Sequence, residues 1–266
     1  MKRDKLKIFI YGKGRVGGTL FYSLKKNNTV CFLAKSDKRV SSGYSFDKFI
    51  AEINDYDLII LSVPDGKIKE AVNRIAGAGS SVKNTVICHT SGTVSYKVLQ
   101  PLEKKGFIIC SLHPYFSFYR EEKDIGLKNI RFTLSCRETD KNVILAVLRR
   151  AGINACFLDD NLRLPYHISA VLVSNFSAML QRIALELLEK TGFSEDESYR
   201  FIFSLLESTL SNLKRYGIRK TITGPAARGD TRILRLHKKF LGNYNRDYLK
   251  LYKTASDIIQ QIYLKG

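Results

Sequence analysis

The chain has 266 residues, 44% hydrophobic and 26% charged, with a formal net charge of +19. That length supports one large domain or two modest ones with real cores. The uncharged apolar runs look strand-sized, so no bilayer-spanning segment is expected. The first apolar run follows Met1–Lys5 directly, which leaves no room for a signal peptide and points to the cytoplasm. The five cysteines (Cys31, Cys88, Cys110, Cys136, Cys156) are odd in number, scattered, and set in apolar sequence. They read as buried small hydrophobes in a reducing compartment, not as a disulfide or metal framework. In Cys110-x-x-His113 the two side chains fall on opposite faces of a strand, so no metal is expected there. A charge of +19 invites a nucleic-acid or anionic-membrane reading. Its lysines and arginines are spread along the whole chain, however, with modest clusters at Lys214–Lys220 and Arg232–Lys239 and no stacking motif beside them. A lysine-rich surface is the expectation, with neither nucleic acid nor membrane as partner.

Ile8–Tyr11 is the first predicted strand, and it runs into Gly12-x-Gly14-x-x-Gly17 with helix-compatible sequence following. In this strand–turn–helix context each glycine has a job. Gly12 permits the tight turn, Gly14 lets a pyrophosphate approach the backbone, and Gly17 lets the helix pack on the strand. Arg15 and Val16 open that helix, whose free N–H groups and positive end suit a diphosphate. Further apolar runs follow at Val30–Leu33, Leu58–Val63, Thr85–Cys88, Phe107–Leu112, Ile130–Ser135 and Ala155–Leu158. Helical segments are predicted at Thr19–Lys26, Ile68–Ile75, Tyr96–Lys105 and Lys141–Ala151. The alternation implies a doubly wound, open parallel sheet covered on both faces. Residues 35–56 are largely polar, so any helix there is short or absent.

Beyond Asp160 the pattern becomes wholly helical. Arg163–Lys190 carries a long helical periodicity, with Pro165 in its first turn and Gly192 past its end. Ser194-Glu195-Asp196-Glu197 has the form of a capping box and opens a helix running to about Tyr216. Two more helices are expected near Asp230–Leu241 and Asn245–Leu264. The expected architecture is therefore α/β plus all-α: a Rossmann domain over residues 1–158 and a helical domain over 159–266. The apolar content of the second exceeds what one helical layer needs, which suggests a dimer interface or a monomeric core.

Ligands of a doubly wound sheet bind outside the carboxyl ends of its strands. The second strand leads to Ala34-Lys35-Ser36-Asp37, where an NAD site would carry an acid for the ribose 2′-hydroxyl. Lys35 and Ser36 instead suit a 2′-phosphate and favour NADP, although a register shift would bring Asp37 to the acid position. The third strand ends in Val63-Pro64-Asp65, the fourth in His89-Thr90-Ser91-Gly92, and the fifth in His113-Pro114. Val63, Pro64 and His89 are expected beside the cofactor and Ser91 beside the substrate. Ser91 with His89 also invites a hydrolase reading, which lacks a strained elbow and a third member.

These motifs, together with Tyr166-His167, Ser174-Asn175 and Thr223-Gly224-Pro225-Ala226-Ala227-Arg228-Gly229-Asp230, resemble a family known for paired Rossmann-like and DUF2520 domains. That family looks like a relative of ketopantoate reductase, pyrroline-5-carboxylate reductase and other 6-phosphogluconate-dehydrogenase-like enzymes. The resemblance implies an N-terminal NADP-binding domain, a helical domain closing over the nicotinamide, and a homodimer. It supplies no substrate. The related reductases use a helical-domain lysine as acid/base, where this chain has His167, so their mechanism does not transfer. We expect His167 to be the proton donor, with Asn175 orienting substrate or nicotinamide amide. Arg228 suits a substrate carboxylate, with Asp230 orienting it or binding an amine; a plain turn with Asp230 as helix cap is the competing reading. The chain thus reads as an NADP(H)-dependent reductase of a C=O or C=N bond in a small, carboxylated metabolite. The alternative is a non-catalytic NADP-binding sensor.

Overall fold

A computed structural model describes residues 5–33, 44–79, 81–119 and 125–264. Contacts divide the chain into two compact units, Met1–Ser174 and Asn175–Gly266. In the first, strands β1 (Lys7–Tyr11), β2 (Thr29–Phe32), β3 (Leu58–Leu61), β4 (Val86–His89), β5 (Ile108–Tyr115), β6 (Arg131–Ser135) and β7 (Ala155–Phe157) form one sheet. Their order is β2-β1-β3-β4-β5-β6-β7. The first five run parallel, while β6 is antiparallel to β5 and β7 parallel to β6. The sheet is thus mostly parallel, as expected, with β5–β6 its one antiparallel pairing among the described residues. A parallel partner for β5 needs a crossover, usually a helix, and the described residues between β5 and β6 hold only a 3₁₀ turn, Leu127–Asn129.

Alternate strand residues feed two cores. Ile8 and Ile10 pack with Leu20 and Leu24 of α1 (Arg15–Leu24) and with Ile144 and Leu148 of α5 (Lys141–Ala151). Phe9 and Tyr11 face the other way, onto Phe49 of α2 (Phe46–Ala51) and Ile68, Val72 and Ile75 of α3 (Asp65–Gly77). Phe9 and Phe49 stack with ring centroids 4.1 Å apart. Leu102 of the one-turn α4 (Gln100–Glu103) joins this second layer. Helix α2 is short, as its polar sequence implies, and starts where the Ser45 hydroxyl accepts from Lys48 N–H.

The turn from β1 into α1 is built for glycine at two positions. Gly12 has φ +107°, and a Cβ on it would lie 2.4 Å from the Ser62 carbonyl oxygen of the β3 end. A Cβ on Gly17 would lie 2.0 Å from the Gly12 carbonyl oxygen, so only glycine lets α1 seat on the strand. A Cβ on Gly14 would meet nothing within 4 Å.

After β7 the chain continues through α6 (Arg163–Val171), a π-helical turn (Leu172–Phe176) and α7 (Ser177–Glu189). The stretch Asp160–Glu189 is long and apolar enough to cross a membrane by length and composition, with mean hydropathy 1.4. This corrects the expectation of strand-sized runs only. Leu164 to Gln181 contains no Asp, Glu, Lys or Arg, and its scattered Ser, Asn and His residues disguise its apolarity. In the second unit, α8 (Glu195–Tyr216) packs on α7, and α9 (Thr231–Tyr244) packs on α10 (Arg246–Leu264). The capping box forms as read: Ser194 accepts from Glu197 N–H, and the Glu197 carboxylate accepts from Ser194 N–H. Tyr248 of α10 donates to Glu186 of α7 at 2.5 Å, tying the two pairs together.

The glycine geometry makes a contrast that unfolding can measure. Gly17→Ala forces a Cβ into backbone and is expected to cost about 1–3 kcal/mol, lowering the urea midpoint at unchanged slope. Gly14→Ala should stay within about 0.5 kcal/mol of wild type.

Candidate active site

The glycine turn after β1 and the loops after β3, β4 and β5 lie at one edge of the sheet, because those four strands are parallel. Sheet order reverses between β1 and β3: β2 continues on one side and β3 to β5 on the other. That crevice is where an open α/β sheet takes its ligand.

The loop after β4 is fixed by a closed polar network. His89 is fully buried; its Nδ1 accepts from Ser91 N–H at 3.2 Å and its Nε2 donates to the Ser95 carbonyl at 3.3 Å. Ser91 donates its hydroxyl proton to Asp65 at 2.8 Å and accepts from Thr93 N–H and Val94 N–H. Thr93 also donates to Asp65. Both polar groups placed at the ligand by sequence reading, His89 and Ser91, therefore hydrogen-bond within the loop and to Asp65 at the start of α3.

Arg163, at the first position of α6, is 3% exposed and clasps this loop. Its guanidinium donates to the Ser91 carbonyl and, at 3.1 Å, to the Ser135 hydroxyl at the end of β6. Asp160, whose carboxylate accepts from the Ser95 hydroxyl, lies 3.8 Å from Arg163 Nε. Sequence reading missed Arg163. The available signal was a cation in the first turn of a helix, where the dipole disfavours it unless something holds it.

The clasp brings α6 over the rim and sets two histidines together. His113 sits on β5 beyond the end of β4, and its Nδ1 pairs with the Tyr166 hydroxyl at 2.9 Å. The His113 and His167 rings meet edge to face, centroids 5.9 Å apart. A Cβ on Gly92 would lie 2.5 Å from His167 Nδ1 and 2.8 Å from His113 Nε2, so both nitrogens converge on one point of the β4 loop. His167 Nδ1 is buried and has no hydrogen-bond partner. A buried polar atom without a partner is unusual and needs a reason. Tyr115 completes the cluster, donating to Ser169, which in turn donates to the Tyr166 carbonyl.

Other expected site residues are distributed as follows. Gly12, Gly14, Arg15, Val16 and Gly17 form the turn and first helical residues of α1, with Arg15 and Gly14 exposed. A Val63 methyl lies 3.1 Å from the position of a Gly12 Cβ, so Val63 borders the turn, while Pro64 caps α3. Lys35 and Ser36 lie outside the described residues. Asn175, Arg228 and Asp230 belong to the second unit. Asn175 is exposed on the π-helical turn, and Asp230 caps α9 by accepting from Ile233 N–H at 3.1 Å. Arg228 is exposed and has no ion pair among the described residues.

The open backbone at Gly14, the tight approach at Gly12 and the uncapped positive end of α1 fit a dinucleotide diphosphate. Sheet, glycine turn and helical C-terminal part define a Rossmann-type protein with an appended helical domain. Residues 1–114 match the Rossmann-like domain and residues 130–259 match DUF2520, a domain of unknown function. The chain belongs to the family that pairs these two domains. No curated protein matches its sequence. Among solved structures it is similar to a candidate NADP oxidoreductase from Bacteroides fragilis, at 21% identity and TM-score 0.76, over 97% of this chain and 98% of that one. It is also similar to a Thermotoga maritima protein at 21% identity and TM-score 0.67, over the same shares. A Plasmodium falciparum pyrroline carboxylate reductase with NADP bound is 13% identical, with TM-score 0.60 over 97% and 98% of the two chains. At these identities the likeness establishes the fold.

Burial, with the Arg163 charge adding to it, pulls His89 down to about 4 from its ordinary 6.5. Burial, then the neighbouring His167 and Arg163, pulls His113 to the same value. Both bind protons more weakly folded than unfolded, so the unfolded chain is protonated first on acidification. Their stabilisation is complete above about pH 6.5 and is lost as pH falls toward 4. For the fully buried His89 this amounts to about 3 kcal/mol. Urea midpoints should fall between pH 7 and pH 4.5. His89→Gln should flatten that slope while lowering stability at pH 7.

Proposed function

We propose that the chain is an NADP(H)-dependent oxidoreductase that reduces a C=O or C=N bond of a small, carboxylate-bearing metabolite. The observation that carries this reading is the convergence of His113 Nε2 and the unpartnered His167 Nδ1 beside Gly92. They stand on the β4–β5 side of the reversal point, along the same edge as the glycine turn. Folds similar to this one include proteins described as NADP oxidoreductases and imine reductases, which supports the reaction class.

When bound, NADPH supplies a hydride. The residues of the chain manage the proton and the geometry. His167 donates a proton from Nδ1 to the developing negative charge on oxygen or nitrogen. His113, kept neutral by burial, borders the same point, and its Nδ1 pairs with the Tyr166 hydroxyl; with that hydroxyl as donor the ring proton stands on Nε2. Gly92 places no side chain between the two nitrogens. The carboxylate in the substrate class rests on Arg228, whose exposed guanidinium has no acidic partner among the described residues.

The working form is proposed to be a homodimer. In the second unit an apolar groove of about 1190 Å³ runs between α7 and α8, lined by Leu188, Phe193, Phe201 and Leu205 among others. Phe193, Phe201 and Leu205 are 40%, 54% and 70% exposed. Patches of this kind mark interfaces.

NADPH binding by calorimetry, followed by NADPH oxidation with 2-oxo acids and cyclic imines, tests the reading. A substrate should emerge on which His167→Gln lowers kcat by about 10²–10⁴ while leaving the NADPH Kd unchanged. Binding without turnover across the panel would leave the non-catalytic sensor standing, and no binding would sink both. By sedimentation the wild type should be dimeric and Phe201→Glu with Leu205→Glu monomeric.

A further inference from the structure

Lys13, the residue between the first two glycines of the turn, lies in the opposite direction from the histidines. Its ammonium sits 3.9 Å from the ring centroid of Phe32 and 4.9 Å from that of Phe21. Phe32 is the last residue of β2, and its ring is buried at 3% exposure. Phe21 and Phe32 themselves meet edge to face at 5.1 Å. An otherwise exposed lysine is therefore held over a two-ring platform at the carboxyl end of β2, with its charge fixed in place.

That location bears on which dinucleotide fits. The glycine turn takes the diphosphate, and the end of the second strand takes the adenosine ribose with its 2′ substituent. Lys13 reaches from the first toward the second. Arg15 follows at the start of α1, and the first turn of that helix contains no acidic residue. Among the described residues Lys13 has no carboxylate partner; its contacts are aromatic faces. Two cations beside the positive end of a helix dipole repel one another unless an anion enters.

We propose that Lys13 recognises the 2′-phosphate of the adenosine ribose and so sets the preference of this chain for the phosphorylated dinucleotide. The assignment rests on the dinucleotide reading above. Phe32 and Phe21 act as the platform that holds the ammonium in position, while the diphosphate is left to the backbone N–H groups of the turn and helix.

The test is calorimetric titration of wild type, Lys13→Met and Lys13→Arg with NADPH, NADH, 2′,5′-ADP and 5′-ADP. Lys13→Met should weaken NADPH and 2′,5′-ADP by about tenfold to a hundredfold and leave NADH and 5′-ADP nearly unchanged, because only one charge-assisted contact is removed. Lys13→Arg, which keeps the cation and its stacking, should retain the preference. A preference undiminished in Lys13→Met overturns the assignment. So does an equal loss for both members of each pair, which would place Lys13 on the diphosphate. Wild type that binds none of the four sinks the dinucleotide reading itself, a result distinguishable from failure of Lys13 alone.

Discussion

The buried guanidinium of Arg163 is the interaction on which the candidate site depends. Taking such a charge out of water costs several kcal/mol, and Arg163 offsets this with the Ser91 carbonyl, the Ser135 hydroxyl and the nearby Asp160 carboxylate. Burial pulls its pKa down, and Asp160 works against that pull. The clasp joins the loop after β4, the end of β6 and the start of α6. Tyr166 and His167 follow three and four residues later, and a helix returns them to the face of Arg163 within about one turn. Without the clasp, neither residue has a reason to stand over His113 and Gly92.

The two sides of the sheet reversal then take different chemical characters. Toward β2 the groups are cations on aromatic faces, Lys13 above Phe32 and Phe21. Toward β4 and β5 they are imidazoles and a phenol, with His113 and Tyr166 kept neutral by burial. A dinucleotide laid across the reversal would place its phosphorylated half at the first and its reactive half at the second.

Much of the fold was legible because its signals are local. Each of the seven apolar runs became a strand, and the capping box at Ser194 formed with both of its bonds. The glycine turn was legible for the same reason: Gly12 and Gly17 answer to steric contacts within their own β–α unit and with the next strand. The direction of β6 was not, because it depends on what lies between strands and not on the strand's own residues. The apolar character of Leu164–Gln181 was hidden by single polar residues that interrupt the run without charging it.

The site divides along the same line. Sequence alone determined which residue types stand at the strand ends, because a parallel strand delivers the residues after its last apolar position to one edge. It named His89, Ser91 and His167 but not the partners around them, which for Ser91 and Arg163 lie 26 to 72 positions away in the chain. Only tertiary structure shows those partners. His89 and Ser91 are hydrogen-bonded to the β4 loop and to Asp65, Arg163 turns from an ordinary helix residue into a buried clasp, and His113 pairs with Tyr166. Hydrogen-bonding capacity is finite, and only the folded chain shows which donors and acceptors are already taken and which, like His167 Nδ1, are left over.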